Sequence, residues 1–188
     1  MANITAAAVN ELRKRTGVGM MDCKKALVEC DGDMDKAIDY LREKGQKLAA
    51  KRADRDASEG AVLATVNADK TFAAVIMMNC ETDFVAKNED FVAFTREVLQ
   101  TAVDAKAKSL EEVMALTING LSVETMIVEQ VAKIGEKITL SHYYPIEAVA
   151  TYAYVHPGNR MASVVGLSKA GYDEEGKEMS MQVFRISF

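Results

Sequence analysis

The chain has no tryptophan, and aromatic residues fill only 6% of its 188 positions. Its interior must therefore be built from aliphatic side chains and from 11 methionines, whose unbranched thioethers suit irregular gaps. Cysteine is scarce and odd in number. Cys23, Cys30 and Cys80 form no CxxC pair, so reduced thiols in a cytoplasm are expected. No apolar run approaches the ~18 residues that a membrane span requires. Met1-Ala2-Asn3-Ile4-Thr5 has neither the basic start nor the apolar stretch of a signal peptide. The expectation is a cytoplasmic protein without membrane contact. Of the two histidines, His142 falls in a strand pattern and His156 in a turn, and neither has a His or Cys partner at ligand spacing. GxSxG, Walker and strand-to-helix GxGxxG motifs are missing. These absences speak against an enzyme or a metal site and leave binding as the stronger class of function.

What is present belongs to an ordinary globular protein, with 49% hydrophobic and 27% charged residues and room for one domain or two small ones. The net charge of -5 is unevenly spread: residues 1–55 carry 12 Lys and Arg against 9 Asp and Glu, and the remainder carries 11 against 19. A mildly basic head with interspersed acids lacks the concentrated basic stripe of a nucleic-acid binder. A protein partner fits it better.

In chain order, Thr5 precedes a helical pattern over 6–15 with Val9, Leu12 and Thr16 on one face, and Gly17 stands past its end. After a tight connection, a second helix over roughly 21–30 carries Cys23, Ala26, Leu27 and Cys30. A third starts at Asp33 or Asp35, with Met34, Ala37, Ile38 and Leu41 as its stripe and Gly45 as its stop. Three short helices with a thin core suggest a recognition module at 1–45. Residues 46–59 are charged in both signs and read as a linker, helical at most at its start.

A body then begins. Strands over 61–66 and 71–78 form an antiparallel hairpin, and a helix capped by Asn88 carries Phe91, Phe94, Val98, Ala102 and Ala105 on one face. Ser109-Leu110-Glu111-Glu112 is a capping box, Asn119-Gly120 a turn, and Ser122 caps a helix with Val123, Ile127, Val131 and Ile134 that Gly135 closes. A strand over 137–144 ends at Pro145. Strands over 146–155 and 161–169 form a second hairpin through His156-Pro157-Gly158-Asn159, and a helix from Asp173 turns Met179 and Val183 inward. Hairpin then helix occurs twice, as in a pseudo-repeat whose second copy is cut short. The predicted class is α+β, with body parts at 60–145 and 146–188, the second incomplete.

Two short motifs fail on inspection. Asp31-Gly32-Asp33-Met34-Asp35 alternates acids like a calcium loop, but Lys36 and Arg42 stand where the turn Gly and the bidentate Glu belong, which leaves helix capping. Gly17-Val18-Gly19 follows a helix and lacks the Gly-Lys-Ser/Thr ending of a phosphate loop. Met20-Met21 can cap the bundle core or offer an adaptable contact surface. Phe84, in the turn Thr82-Asp83-Phe84-Val85, is either a staple under its own helix or a ring held out for a partner.

Three longer stretches carry a resemblance. Leu12-Arg13-Lys14-Arg15-Thr16-Gly17-Val18-Gly19-Met20-Met21-Asp22-Cys23-Lys24-Lys25-Ala26-Leu27 resembles the N-terminal signature of the translation elongation factor Ts family. Asn79-Cys80-Glu81-Thr82-Asp83-Phe84-Val85-Ala86 is similar to its second signature, and Val131-Ala132-Lys133-Ile134-Gly135-Glu136-Lys137-Ile138 to a third. The resemblance implies guanine-nucleotide exchange on elongation factor Tu, bound in its GDP-loaded and nucleotide-free states, without a cofactor. The head would be a ubiquitin-associated-like module with Leu12, Met20 and Met21 as apolar contacts and Lys24 as a polar one. Thr82, Asp83, Phe84 and Val85 would enter the partner's G domain and dislodge its Mg²⁺, and Ile134, Gly135 and His156 match other contact positions. Phe91 and Phe94 already complete a core face, which weakens the staple, and the resemblance supplies a destination for the ring, so Phe84 is expected to project outward. Longer members continue beyond a segment like Gly176-Lys177-Glu178-Met179-Ser180-Met181-Gln182-Val183 through a second body half, usually with a helical hairpin that mediates dimerisation. Phe184-Arg185-Ile186-Ser187-Phe188 does not resemble that continuation, so a shortened body with exposed inner faces of Tyr152, Val164 and Met179 is expected, with a homodimer as one oligomeric form. The reading from another class is an adaptor module without exchange activity, or an inactive truncated remnant.

Overall fold

A computed structural model describes residues 4–183, and the Phe184-to-Phe188 tail lies outside them. The fold is α+β. The chain divides into two compact units, one of residues up to 56 together with 125–138, the other of 57–124 together with those from 139 on.

The first unit opens with helices α1 (Ala6–Thr16), α2 (Met20–Glu29) and α3 (Met34–Lys51). Local chemistry sets their ends. The Thr5 hydroxyl accepts from the Ala8 amide, and Gly17, at φ 69°, returns its N–H to the Arg13 carbonyl. Asp33 accepts from the Asp35 and Lys36 amides, so the acids around it cap α3. Val9, Leu12, Val18, Cys23, Ala26, Leu27, Ala37 and Leu41 form the core. Gly45 does not stop α3, which continues for six more residues. A Cβ there would lie 3.0 Å from the Ala132 Cβ and 3.2 Å from the Val128 carbonyl oxygen, so this glycine permits close helix approach. The segment it approaches runs over 125–138 and adds a fourth helical wall, tied by an ion pair of 2.7 Å between Arg42 and Glu129. The expected linker is therefore helical through Lys51.

The second unit is built on an antiparallel sheet of β1 (Glu59–Val66), β2 (Phe72–Cys80) and, further along the chain, Thr139–Glu147, in that order across the sheet. Asn67 turns the first hairpin, its side-chain oxygen accepting from the Thr71 and Phe72 amides. β2 leads into α4 (Asp83–Ala86) and α5 (Glu89–Asp104), the latter capped by Asn88. Phe91, Phe94, Val98 and Ala102 are buried as the spacing predicts, but Ala105 is exposed at the C-cap. A short α6 (Leu110–Ala115), capped by the Ser109 hydroxyl, precedes the small hairpin β3 (Thr117–Ile118) and β4 (Leu121–Ser122). Asn119 and Gly120 turn it with φ 51° and 83°. Helix α7 (Val123–Ile134) follows, then β5 (Thr139–Glu147).

Pro145 does not end β5. It pairs with Ala74, and β5 is an edge strand among the described residues, where a missing N–H costs little. The second hairpin joins β6 (Ala150–Val155) to β7 (Ala162–Leu167). Helix α8 (Asp173–Gln182) packs on it by a face other than the predicted one. Met179 and Val183 are each 47% exposed, and Gly176 and Ser180 are buried instead. The reason is Tyr152, only 6% exposed, whose ring occupies the space that a Cβ at Gly176 would enter at 2.3 Å. Ser163 donates to the Ser180 carbonyl and locks this face. The Tyr152 face expected to be open is covered by α8, whereas Met179 is open.

Candidate functional site

The 82–85 turn is a single helical turn with each end secured. The Thr82 hydroxyl accepts from the Val85 amide at 3.4 Å, and the Cys80 thiol donates to the Thr82 carbonyl at 3.2 Å. Asp83 pairs with Lys87, one turn on, at 2.6 Å. That hydrogen bond and charge hold the Asp83 carboxyl below its usual range, with the Arg160 guanidinium adding to the effect. Ala86 is buried and anchors the turn, while Thr82, Asp83 and Val85 are half-buried. Phe84 is 84% exposed, more than any other large apolar side chain among the described residues. The ring is thus exposed on a turn that is fixed at both ends. Lys87 and Arg160 were not singled out from sequence. The i,i+4 spacing of Asp83 and Lys87 carried that signal, whereas Arg160 reaches the turn only through the fold.

In the same unit His156 is exposed at the tip of the second hairpin, its Nδ1 3.0 Å from the Tyr154 hydroxyl. It lines a cleft of 360 Å³ with Leu63, Leu99, Arg96, Gln100 and Asn159.

The remaining site residues lie in the first unit. Met20 and Met21 are 50% and 76% exposed, so neither caps the bundle core. Lys24 is exposed one turn later, and Val28, 55% exposed, extends the same apolar strip. Leu12 is different. It is fully buried in the helical core, so it supports the surface from beneath and offers a partner no contact of its own. Truncating a buried leucine costs about 2–5 kcal/mol, so a binding defect in a Leu12 variant reports folding. Ile134 and Gly135, half-buried at the end of α7, belong to this same unit. Gly135 closes that helix at φ 83°, its N–H donating to the Val131 carbonyl. The Lys133 stem packs on the α1–α2 connection, 3.0 Å from where a Gly17 Cβ would stand. The structure thus brings the ends of two distant signatures together in one body. Among the described residues no cluster of three or more His, Cys, Asp and Glu is placed to hold a metal, and no helix is long and apolar enough to cross a membrane.

Comparison with known proteins completes the picture. A family model described as "Elongation factor TS" matches residues 81–186, and one described as "Elongation factor Ts, mitochondrial, N-terminal" matches residues 1–49. The Elongation factor Ts of Christiangramia forsetii is 53% identical over 184 residues, covering 97% of this chain and 66% of that protein. Those of Flavobacterium johnsoniae and Amoebophilus asiaticus are 49% and 48% identical, covering 97% and 98% of this chain and 57% and 68% of theirs. The chain therefore spans between 57% and 68% of the length of these relatives. It belongs to the elongation factor Ts family.

Proposed function

We propose that the chain promotes guanine-nucleotide exchange on elongation factor Tu during translation in the cytoplasm, acting by binding and forming no covalent intermediate. The observation that carries this reading is the exposed Phe84 ring on a turn fixed by the Thr82 cap, the Cys80 thiol and the Asp83–Lys87 pair. A preorganised apolar wedge loses little conformational freedom when it inserts, so more of its contact energy goes into displacing the partner. In a G domain a Mg²⁺ bridges the nucleotide phosphates to the protein and is among the largest charges present. A ring driven between the elements that orient the metal weakens its hold, and a loss of ~4 kcal/mol is about a thousandfold in nucleotide affinity.

Docking is assigned to the other unit. Met20, Met21 and Lys24 provide an adaptable apolar surface with one cation, and Ile134 and Gly135 extend the contact area. His156 adds a contact on the Phe84 unit. Replacing Met20 and Met21 together by Ala is expected to raise the half-saturating concentration for GDP release about tenfold, close to 1.4 kcal/mol of docking energy. The saturating rate should stay within about twofold, because K-type and rate-type effects separate when only uniform binding is lost.

Release of a fluorescent GDP analogue from elongation factor Tu, followed with this chain in excess, tests the reading. Faster release supports exchange. Binding that leaves the release rate unchanged supports the adaptor reading instead.

A further inference from the structure

β2 and β5 do not pair in even register. Met77 stands opposite His142 and Met78 opposite Leu140, which leaves Ser141 as an extra residue on β5. Its hydroxyl lies 2.5 Å from the Asn79 side-chain oxygen and 2.7 Å from Nδ1 of the exposed His142. A serine has one proton to give, and an amide oxygen can only accept. The hydroxyl therefore donates to Asn79, and the His142 ring N–H donates to the hydroxyl. Asn79 is 5% exposed, and its amide nitrogen donates onward to the Glu59 carbonyl at 3.2 Å. One buried side chain thus links all three strands at the end of the sheet from which the 82–85 turn emerges. The side chain of Glu59 pairs in turn with Arg160 at 2.7 Å. The network runs from the bulge on β5 across β2 to β1 without touching the Phe84 ring.

We infer that Asn79 and Ser141 are positioning residues for the exchange step: through the bulge they fix the direction in which β2 delivers the Phe84 turn. The inference rests on the exchange reading. Neither residue presents surface to a partner comparable with Phe84 or the methionines, so their loss should alter the rate at saturation and spare docking. Ser141→Ala removes the proton donor and little volume. It is expected to lower the saturating rate of GDP release from elongation factor Tu about three- to tenfold, the order of magnitude of one hydrogen bond. The half-saturating concentration should stay within about twofold. Ser141→Thr, which keeps the hydroxyl, should retain the parent rate, and Asn79→Ala should fall at least as far as Ser141→Ala. Far-UV circular dichroism confirms that each variant is folded at the assay temperature, and Ser141→Ala carries the test if Asn79→Ala is not. Phe84→Ala run in parallel separates the two claims. If it collapses exchange while Ser141→Ala and Asn79→Ala match the parent, the positioning role is wrong and the wedge stands. A Ser141→Ala effect on half-saturation alone also overturns the positioning role. If Phe84→Ala itself exchanges at the parent rate, the wedge reading falls and the positioning role falls with it.

Discussion

A Phe84→Ala variant should release GDP from elongation factor Tu on the order of a hundredfold more slowly than the parent, a loss typical of a central aromatic hot spot. Its melting temperature should not change. The two halves of this result come from the same number: with 84% of its surface in water, the ring contributes almost nothing to its own fold. Ala86, which is buried, and the Thr82 cap hold the turn whether or not the ring is present. Binding should weaken far less than exchange, because the methionine surface of the other unit remains intact. Stopped-flow release rates and a thermal melt of the same sample check both halves. A slower rate with a lowered melting temperature would mean that the ring is structural after all.

Gly60→Ala is expected to cost the second unit about 3 kcal/mol, at the upper end for overpacking because the obstacle is backbone. A Cβ at this position in β1 would stand 2.3 Å from the Met78 carbonyl oxygen and 2.9 Å from the Asn79 Cα on the neighbouring strand. A flexible side chain could swing away, but a strand held in a ladder cannot. For a chain of this size the cost corresponds to a fall of about 6–12 °C in melting temperature, measurable by calorimetry. Because Asn79 and the 82–85 turn follow directly along β2, the substitution should also reduce exchange at temperatures where the protein is still folded. A melt within ~1 °C of the parent would show that the sheet yields at this point far more easily than close-packed interiors do.

The local rules in the sequence were legible wherever a side chain acts on its own neighbours. Thr5, Asp33, Thr82, Asn88 and Ser109 each cap the helix that follows, through bonds spanning two or three residues. Both hairpins and the Asn119-Gly120 turn follow from the same short-range chemistry. The outward Phe84 was legible only in part: the completed core face on α5 weakened a staple, and the family resemblance supplied the outward direction. The misses all depend on a distant partner. Gly45 looks like a helix stop until Ala132, 87 residues later, is seen pressing against it. Pro145 reads as a strand end unless β5 is known to lie at the sheet edge. Met179 and Val183 have the hydrophobicity for a core face, yet α8 sits on its small residues because the Tyr152 ring requires the space at Gly176. Leu12 falls within a signature stretch that implied a contact, yet it shares a helical face with Val9, and both are buried in the bundle core. The bulge at Ser141 left no trace in residue types, since one extra residue in a strand changes register without changing composition.

An exchange factor must bind the nucleotide-free partner better than the loaded one, since only differential affinity shifts an equilibrium. Calorimetric titration of the chain into nucleotide-free elongation factor Tu and into its GDP–Mg²⁺ complex measures that difference directly. Affinity for the nucleotide-free form should be higher by about a hundredfold or more, a coupling of at least ~2.7 kcal/mol. Equal affinities for the two forms would contradict the account.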